Sequence, residues 1–270
     1  MAITNFIPQV WSARLQENLQ QSLVFGSLCN RNYEGEIRQW GDTVHINAIN
    51  DITVKPYDPS VTIDEPEQLS GTDTTLVIDH GAYYNFTIND VDAVQARTEL
   101  MDAAMKNAAG RLAVDTEKYI LSVILEDAGV KQDKQLSLSD TAGLYALLLE
   151  MKLQMDMNNV PRTGRKLILP PDLEALLLLD NRFITGSSDA AHRLAEGAVA
   201  RAVGFDIYVS TDLTGKFIAM TSEAVTFANQ ITRVDAYRPE KGFCDGVKGL
   251  CLSGAKVVQP EAVIVYTITD

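Results

Sequence analysis

A long stretch without proline restricts the fold of this chain more than any other feature, because no proline occurs between positions 66 and 161. Inside it, apolar residues recur at helical spacing. Asn89 can cap the start and Gly129 follows the far end, so the pattern predicts one helix over residues 91–126. Such a helix is roughly 54 Å long, longer than a small domain is wide. Its irregular apolar spacing predicts packing on a sheet, and Gly110 predicts a bend or a close contact.

Two segments typical of strands precede this helix. Residues 43–54 alternate in polarity, and residues 74–88 are rich in Thr, Val, Tyr and Phe, so we expect two long strands that face each other. The polar, proline-rich segment between them predicts a hairpin with a long tip. Residues 51–79 hold seven acidic residues against the single lysine Lys55, so this region carries nearly half of the net charge of −13.

The first forty residues predict a projecting arm. After a proline at position 8, Trp11, Leu15, Leu19 and Leu23 recur every fourth residue and form a narrow apolar stripe on a helix. The stripe ends at Gly26. Because the segment itself offers nothing to cover this stripe, we expect another surface to do so.

The second half alternates helices and strands, which with the first half gives an α+β class and a central sheet with helices against it. The predicted helices cover residues 139–157, 171–179 and 190–203. The predicted strands cover residues 165–169, 205–210, 216–220, 232–237, 249–253, 255–258 and 262–269.

Composition narrows the function classes. The chain has 270 residues, of which 46% are hydrophobic, so it can bury a large core. No apolar run approaches the roughly 18 residues that span a bilayer, and the start does not resemble a secretion signal, so we expect no membrane partner. The three cysteines predict no disulfide framework. The charge of −13 disfavours tight binding to nucleic acid.

We assign no catalytic residue, no cofactor and no metal ligand from the sequence. The three histidines are not at metal-site spacing, and no cysteine has basic neighbours that would activate it. The glycines at 242, 246 and 249 match no phosphate-binding motif and are interpreted as turn glycines. Asp64, Glu65 and Glu67 lack calcium-loop spacing and are interpreted as a solvated loop tip. The unburied arm, hairpin and long helix instead indicate a subunit of an assembly.

Several short motifs, in this order along nearly the whole chain, resemble tailed-bacteriophage major capsid proteins. They are FIPQVWS at 6–12, YEGEI at 33–37, GDTVHI at 41–46, DVD at 90–92, GFDIYVS at 204–210 and GAKVVQPEA at 254–262. The resemblance implies the fold shared by tailed-phage and herpesvirus shells. Residues 1–40 would be an N-terminal arm, and residues 41–89 an extended β-hairpin loop. A peripheral domain with the long spine helix would comprise residues 90–130 and 232–270, and residues 131–231 would form the axial domain.

The resemblance also implies partners and a location. Copies of the chain would form pentamers and hexamers in an icosahedral shell that encloses double-stranded DNA, inside the virion capsid and assembled in the cytoplasm of a bacterial host. Because the arm begins almost at the first residue, we expect a separate scaffolding protein, besides a portal. Some members of this family crosslink their subunits through a lysine on the extended loop. Lys55 lies on an arm of the hairpin rather than at its tip, so the sequence does not predict such a crosslink. The residues expected at contacts between subunits are Trp11, Leu15, Leu19, Lys55, Asp58, Asp64, Glu65, Glu67 and Asp73.

Two alternatives remain at this stage. One is an encapsulin-like shell whose cargo is protein, and the other is an acidic α+β enzyme of unknown reaction. No motif in the sequence favours the enzyme.

Overall fold

The computed structural model describes residues 23–33, 40–49, 71–89, 99–137, 141–180, 201–240 and 244–269. The helices in these ranges are α1 (Phe25–Leu28), α2 (Glu99–Asp127), α3 (Thr141–Met157) and α4 (Pro171–Leu179). The strands are β1 (Thr43–Ile49), β2 (Gly71–Val77), β3 (His80–Asn89), β4 (Val130–Gln135), β5 (Arg165–Leu169), β6 (Arg201–Ala202), β7 (Phe205–Val209), β8 (Lys216–Thr221), β9 (Val225–Tyr237), β10 (Cys244–Val257) and β11 (Ile264–Thr269).

The described strands form three sheets. The first is the antiparallel pair of β1 and β2, and the second has the order β3-β10-β9 with β10 in the centre. The third is a mixed sheet of six strands with the order β4-β11-β8-β5-β7-β6. One large hydrophobic core joins the six-stranded sheet to α2, α3, α4 and the inner face of the three-stranded sheet.

Helix α3 connects strands β4 and β5, which run in the same direction in the six-stranded sheet. It ends at Met157, directly before Asn158 and Asn159. Asn159 adopts a left-handed conformation with φ of 54°. Its backbone N–H donates to the carbonyl of Asp156, and the N–H of Val160 donates to the carbonyl of Met155, so these two carbonyls in the last turn of the helix have partners. The buried guanidinium of Arg165 bonds to Asp156 Oδ1 at 2.7 Å, and this hydrogen bond holds the pKa of Asp156 below its ordinary value. The end of α3 is thereby fixed to the start of β5.

The long helix α2 packs across β10 and β3 of the three-stranded sheet. Its far end is fixed by Lys256, whose Nζ lies 2.6 Å from Asp127 Oδ2, and by the N–H of Gly129, which donates to the carbonyl of Pro260 at 3.0 Å. The prediction of a long helix on a sheet is therefore confirmed, and its far end is one residue from the predicted position. Residues 91–98 of the predicted helix lie outside the described residues.

The prediction of two long strands that face each other is wrong in its second half. Residues 74–88 do not form one strand: β2 pairs with β1, whereas β3 pairs with β10 in a different sheet. Ile78 and Asp79 lie between them without strand structure. Asp79 and Gly81, two residue types that are depleted in strands, lie at this break. The two halves of the run then pair with different partners.

Other predictions need correction in the remaining sheets. The predicted strands 249–253 and 255–258 form the single strand β10, and residues 232–237 are the second half of β9. Residues 201–202 form strand β6, not the end of a helix over 190–203, and 190–200 lie outside the described residues. Strand β4 was not predicted, because its sequence is mostly polar. Gly110 has open space around its Cα, so the predicted close contact is absent there.

Two of the glycines interpreted as turn glycines lie inside strand β10. A Cβ atom on Gly249 would lie 2.4 Å from Cε1 of Tyr84, and one on Gly246 would lie 2.7 Å from Cε1 of Tyr237. The ring of Tyr237 crosses β10 at this point, and its hydroxyl donates to Asn85 Oδ1 on β3 at 2.8 Å. These glycines therefore make room for aromatic rings that lie flat on the sheet.

Candidate assembly surfaces

The N-terminal segment enters the core directly after the predicted arm. Leu23, the last residue of the predicted apolar stripe, and Phe25 are both buried in the main core. The buried carboxylate of Glu117, on α2, accepts hydrogen bonds from the N–H of Phe25 at 2.8 Å and of Gly26 at 3.1 Å. Burial raises the pKa of Glu117, and these N–H bonds oppose the rise. The arm thus begins from a point that is fixed to the long helix.

The same segment also joins the two larger sheets. Lys166 on β5 donates from Nζ to the carbonyl of Leu28 at 2.9 Å. Asn30 forms an isolated parallel bridge with Thr226 of β9.

Burial raises the pKa of the Cys29 thiol to about 12, so this cysteine stays protonated and serves as a packing residue.

The base of the hairpin is anchored in its own subunit. Val44 and Ile46 of β1 pack with Leu76 and with Ile78 against residues of β9 and β10, and together they form a second buried cluster. The register aligns Thr43 with Val77 at the base and Ile49 with Gly71 at the far end of the described pair. The hairpin therefore projects from a fixed root.

A polar network ties this root to the long helix. Asp79 follows β2 and accepts a hydrogen bond from the hydroxyl of Tyr119 on α2 at 2.6 Å. The ring of Tyr119 stacks on His80, with centroids 4.3 Å apart, and Nε2 of His80 lies 2.8 Å from Asp115 Oδ2. Burial, together with the bond to Asp79, raises the pKa of Tyr119. Movement of the hairpin root is thereby coupled to two positions on α2, one turn apart.

Aromatic side chains are exposed on the outer face of the three-stranded sheet. Tyr83 on β3 is 79% exposed, and its cross-strand partner Leu250 on β10 is also exposed. Trp40 is also exposed, and its ring lies over Gly81 of β3, with Cζ3 2.6 Å from where a Cβ atom of that glycine would be. Aromatic residues are enriched at protein interfaces, so this face has the composition of a contact surface. The sequence gives no signal for it, because aromatic residues in a strand are equally typical of a core.

A groove lies between β3 and α2, and His80 and Asp115 of the polar network line part of it. It has a volume of about 790 Å³ and is lined by residues that include Tyr84, Phe86, Ala108 and Arg111. The buried hydroxyl of Tyr84 has no hydrogen-bond partner among the described residues, and burial raises its pKa to about 12. Burial also raises the pKa of Cys251 to about 12, as expected for an inert apolar cysteine.

The described part of the chain contains no group of three or more His, Cys, Asp or Glu side chains placed to bind a metal ion. None of the described helices is both long enough and apolar enough to cross a membrane.

The residues that the sequence places at contacts between subunits fall mostly outside the described ranges. Of these, only Asp73 is described: it lies on β2, opposite Asn47 of β1. The following lie outside the described residues: Trp11, Leu15, Leu19, Lys55, Asp58, Asp64, Glu65 and Glu67. Their role in contacts stays a prediction.

Solved structures of phage proteins superpose on most of this chain. A protein of Mycobacterium phage Che8 is 28% identical, with a TM-score of 0.73 over 90% of both chains. A chain from the capsid structure of cyanophage P-SCSP1u is 16% identical, with a TM-score of 0.71 over 92% of this chain and 88% of that one. The fold is thus the one found in phage capsid proteins.

The family follows from the sequence. Residues 72–266 match the family model described as phage capsid protein, and this chain belongs to that family. No curated protein matches the sequence. Its location is therefore the virion capsid, where copies of the chain associate with one another. A virus-like particle from Pyrococcus furiosus also shares the fold, at 14% identity and a TM-score of 0.61 over 96% of this chain and 98% of that chain. That lower likeness gives the encapsulin alternative less support.

Proposed function

We propose that this chain is the major subunit of an icosahedral shell that encloses double-stranded DNA, and that it performs no catalysis. The observation that supports this function most directly is the family match over residues 72–266. In this proposal, pentamers and hexamers of the chain assemble in the cytoplasm of a bacterial host. A separate scaffolding protein and a portal take part.

The domain boundaries implied by the resemblance are part of the proposal. Residues 1–40 act as the arm, 41–89 as the extended loop, 90–130 with 232–270 as the peripheral domain, and 131–231 as the axial domain. The buried cluster at the hairpin root and the bond between Phe25 and Glu117 support this division, since each fixes one end of a segment to the rest of the subunit.

The acidic charge supports enclosure of DNA without tight binding. Phosphate contacts supply most of the affinity of proteins for nucleic acid, and a chain with a net charge of −13 repels phosphates over most of its surface. DNA would then move against the inner wall without adhering to it.

Light scattering and negative-stain electron microscopy of the purified protein test the proposal. We expect capsomers, closed shells or large assemblies. A stable monomer at millimolar concentration would contradict it. Shells from infected cells should contain nuclease-protected DNA and a portal at one vertex. Shells that hold only a protein cargo and have no portal would favour the encapsulin alternative, for which the fold of the Pyrococcus particle is the supporting observation.

A further inference from the structure

Strand β3 forms one edge of the three-stranded sheet. It pairs with β10 on one side, in an unbroken register from His80 opposite Ser253 to Asn89 opposite Cys244. Half of the N–H and C=O groups of an antiparallel strand point away from its partner. Among the described residues, no backbone group outside β10 bonds to β3. The outward backbone groups of β3 therefore have no backbone partner in the described part of the chain.

The sequence of this edge does not protect it from pairing. Exposed edge strands usually carry charged residues, proline or a bulge, which oppose the addition of another strand. Strand β4, at an edge of the six-stranded sheet, follows this rule with Lys131, Asp133 and Lys134. Strand β3 has the sequence HGAYYNFTIN, which contains no lysine, arginine, acidic residue or proline, and it pairs with β10 without a bulge. The edge at β3 is therefore suited to receive a further strand.

The groove between β3 and α2 runs along this same edge. Eight consecutive residues of β3, positions 80–87, line it over about 26 Å. On the opposite wall, Ala104, Ala108 and Leu112 are spaced four residues apart, so they form one row along α2. The half-buried rings of Tyr84 and Phe86 line the groove from β3. Because alanine side chains are small, they leave room for an extended chain between the strand and the helix.

We propose that this groove binds an extended segment of a separate protein, which adds to the three-stranded sheet beside β3. The alternating N–H and C=O groups of a strand edge are matched by the backbone of another extended chain, and its alternate side chains enter the space between strand and helix. Apolar side chains fit the positions opposite Ala104 and Ala108. An acidic side chain fits beside Arg111, which lines the groove, is exposed and forms no ion pair with another described residue.

The acidic loop of another copy matches the charge of this site but not its length. Within residues 50–70, prolines occur at positions 56, 59 and 66, so no stretch without proline is longer than six residues. A proline donates no hydrogen bond and interrupts the pairing of a strand. The groove extends along eight residues of β3. A segment of another protein, free of such prolines, therefore fits the groove better than this loop does.

Binding of a synthetic octapeptide to the purified protein tests the mode of recognition. In the sequence VTVTETVT, with a fluorescent label, the valines and the glutamate share one face of a strand. We expect saturable binding by fluorescence anisotropy. An added strand bonds through one edge only, so N-methylation of its amides at odd or at even positions should abolish binding in one case and spare it in the other. Equal effects of the two methylated peptides, or no binding of the parent peptide, would overturn the proposal.

Exchange of charges tests the contact with Arg111. A peptide with lysine in place of glutamate should bind the wild type about tenfold more weakly, because two positive charges then meet. Arg111→Glu should reverse this preference. Lys118→Glu makes the same change on an exposed part of α2 outside the groove and should keep the preference for glutamate. The same preference in all three proteins would overturn the assignment of Arg111.

A matched pair of tryptophan substitutions on α2 tests the position of the site. Ala108→Trp fills the groove, whereas Ala103→Trp adds the same ring on the exposed side of the helix, outside the groove. We expect Ala108→Trp to abolish peptide binding and Ala103→Trp to retain it. Both should keep the far-UV circular dichroism of the wild type. Normal binding by Ala108→Trp would contradict the site, and if this variant does not fold, the methylated peptides and Arg111→Glu decide.

Photo-crosslinking identifies the natural occupant. A photo-reactive amino acid replaces Asn107, which lines the groove, and particles are isolated during assembly in infected cells. We expect a crosslink to a separate protein that is lost when Ala108→Trp is added. A crosslink to a second copy of this chain, or none, would overturn the proposal. The choice of partner rests on the proposed function, but the peptide tests do not: a protein that binds the peptide and never forms shells would contradict that function and not the site.

Discussion

The carboxylate of Glu117 on the long helix accepts a hydrogen bond from the backbone N–H of Phe25, 92 positions earlier in the chain, at 2.8 Å. The contact is buried and joins the end of the N-terminal segment to the middle of α2. A buried carboxylate needs such partners because an unpaired charge in the core is strongly unfavourable. Glu117 therefore fixes the segment at Phe25 and Gly26 to the long helix.

The raised pKa of Glu117 predicts a pH dependence of stability. Between the ordinary pKa of a glutamate, about 4.3, and the raised value in the fold, the native state keeps a proton that the unfolded chain releases. The free energy of unfolding therefore decreases as the pH rises through this window. Glu117→Gln should remove that part of the pH dependence and cost about 1 kcal/mol, because the amide offers one acceptor atom to two N–H groups. Calorimetry of wild type and variant across pH 4 to 8 measures both effects, and identical slopes would contradict the prediction.

Gly110, in the long helix, and Gly129, two residues after its end, form a pair for substitution by alanine. A Cβ atom at Gly129 would lie 2.4 Å from the backbone oxygen of Pro260, whereas one at Gly110 would meet nothing within 4 Å. Gly129→Ala should lower the free energy of unfolding by about 1–3 kcal/mol, because the backbone of Pro260 must move. Gly110→Ala should raise it by about 0.5–1 kcal/mol, because glycine is a poor helix former. Urea denaturation measures both, and equal effects would show that the contact at Pro260 carries no energy.

The hairpin beyond β1 and β2 is predicted to serve the shell and not the subunit. Ile49 and Gly71 are cross-strand partners, so a short Gly-Ser turn can replace residues 50–70 without breaking the described strands. The buried cluster at the root stays intact, so circular dichroism and the melting transition should change little. Closed shells should fail to form in electron micrographs. Normal shells, or a variant that does not fold, would refute the assigned role.

A charge-neutral loop separates the effect of charge from that of length. Replacing Asp58, Asp64, Glu65 and Glu67 with their amides keeps the loop intact. If the loop pairs with basic residues of a neighbour, this variant and moderate salt should both weaken association, because the Debye length is about 8 Å at physiological ionic strength. Stronger association of the neutral variant would indicate that repulsion dominates.

Purified subunits or shells should give no gel shift with duplex DNA at physiological salt. The net charge of −13 leaves few phosphate contacts available. Micromolar binding that weakens steeply as salt rises would contradict this, and a basic DNA-binding protein in the same assay provides the positive control.

Local signals explain which elements could be predicted. Strand β5 and helix α4 have the predicted limits, because an apolar run and then a proline mark their borders within a few residues. Strand β4 has no such signal: its sequence VKQDKQ is polar, and its place is set by parallel pairing with β11. Gly246 and Gly249 look like turn residues until the rings of Tyr84 and Tyr237 are known to cross them. In each of these cases the local structure depends on residues that are far away in the sequence. A local sequence pattern carries no information about them.

Some of the candidate assembly surfaces can be predicted from the sequence, and others cannot. The arm stripe and the acidic loop are visible in the sequence because spacing and charge are local properties. The exposed apolar side of α3 has no such signal in the sequence, since Leu149, Leu153 and Met157 add to the general apolar character that predicts the helix. Only the exposure of these residues in the fold separates them from the core set.

The short link between β2 and β3 has a mechanical consequence. Two residues, Ile78 and Asp79, join strands of different sheets, and the first is buried while the second is bonded to Tyr119. The β1–β2 pair is packed against β9 and β10 as far as Ile46, so the described part of β1 beyond this point, residues 47–49, is a lever about 10 Å long. A tilt of about 10° at Ile46 moves its far end by about 2 Å, calculated from that length. A force on the free end of the hairpin is transmitted by the hydrogen bond between Asp79 and Tyr119 to the long helix. A contact that binds the hairpin therefore also acts on the centre of the subunit.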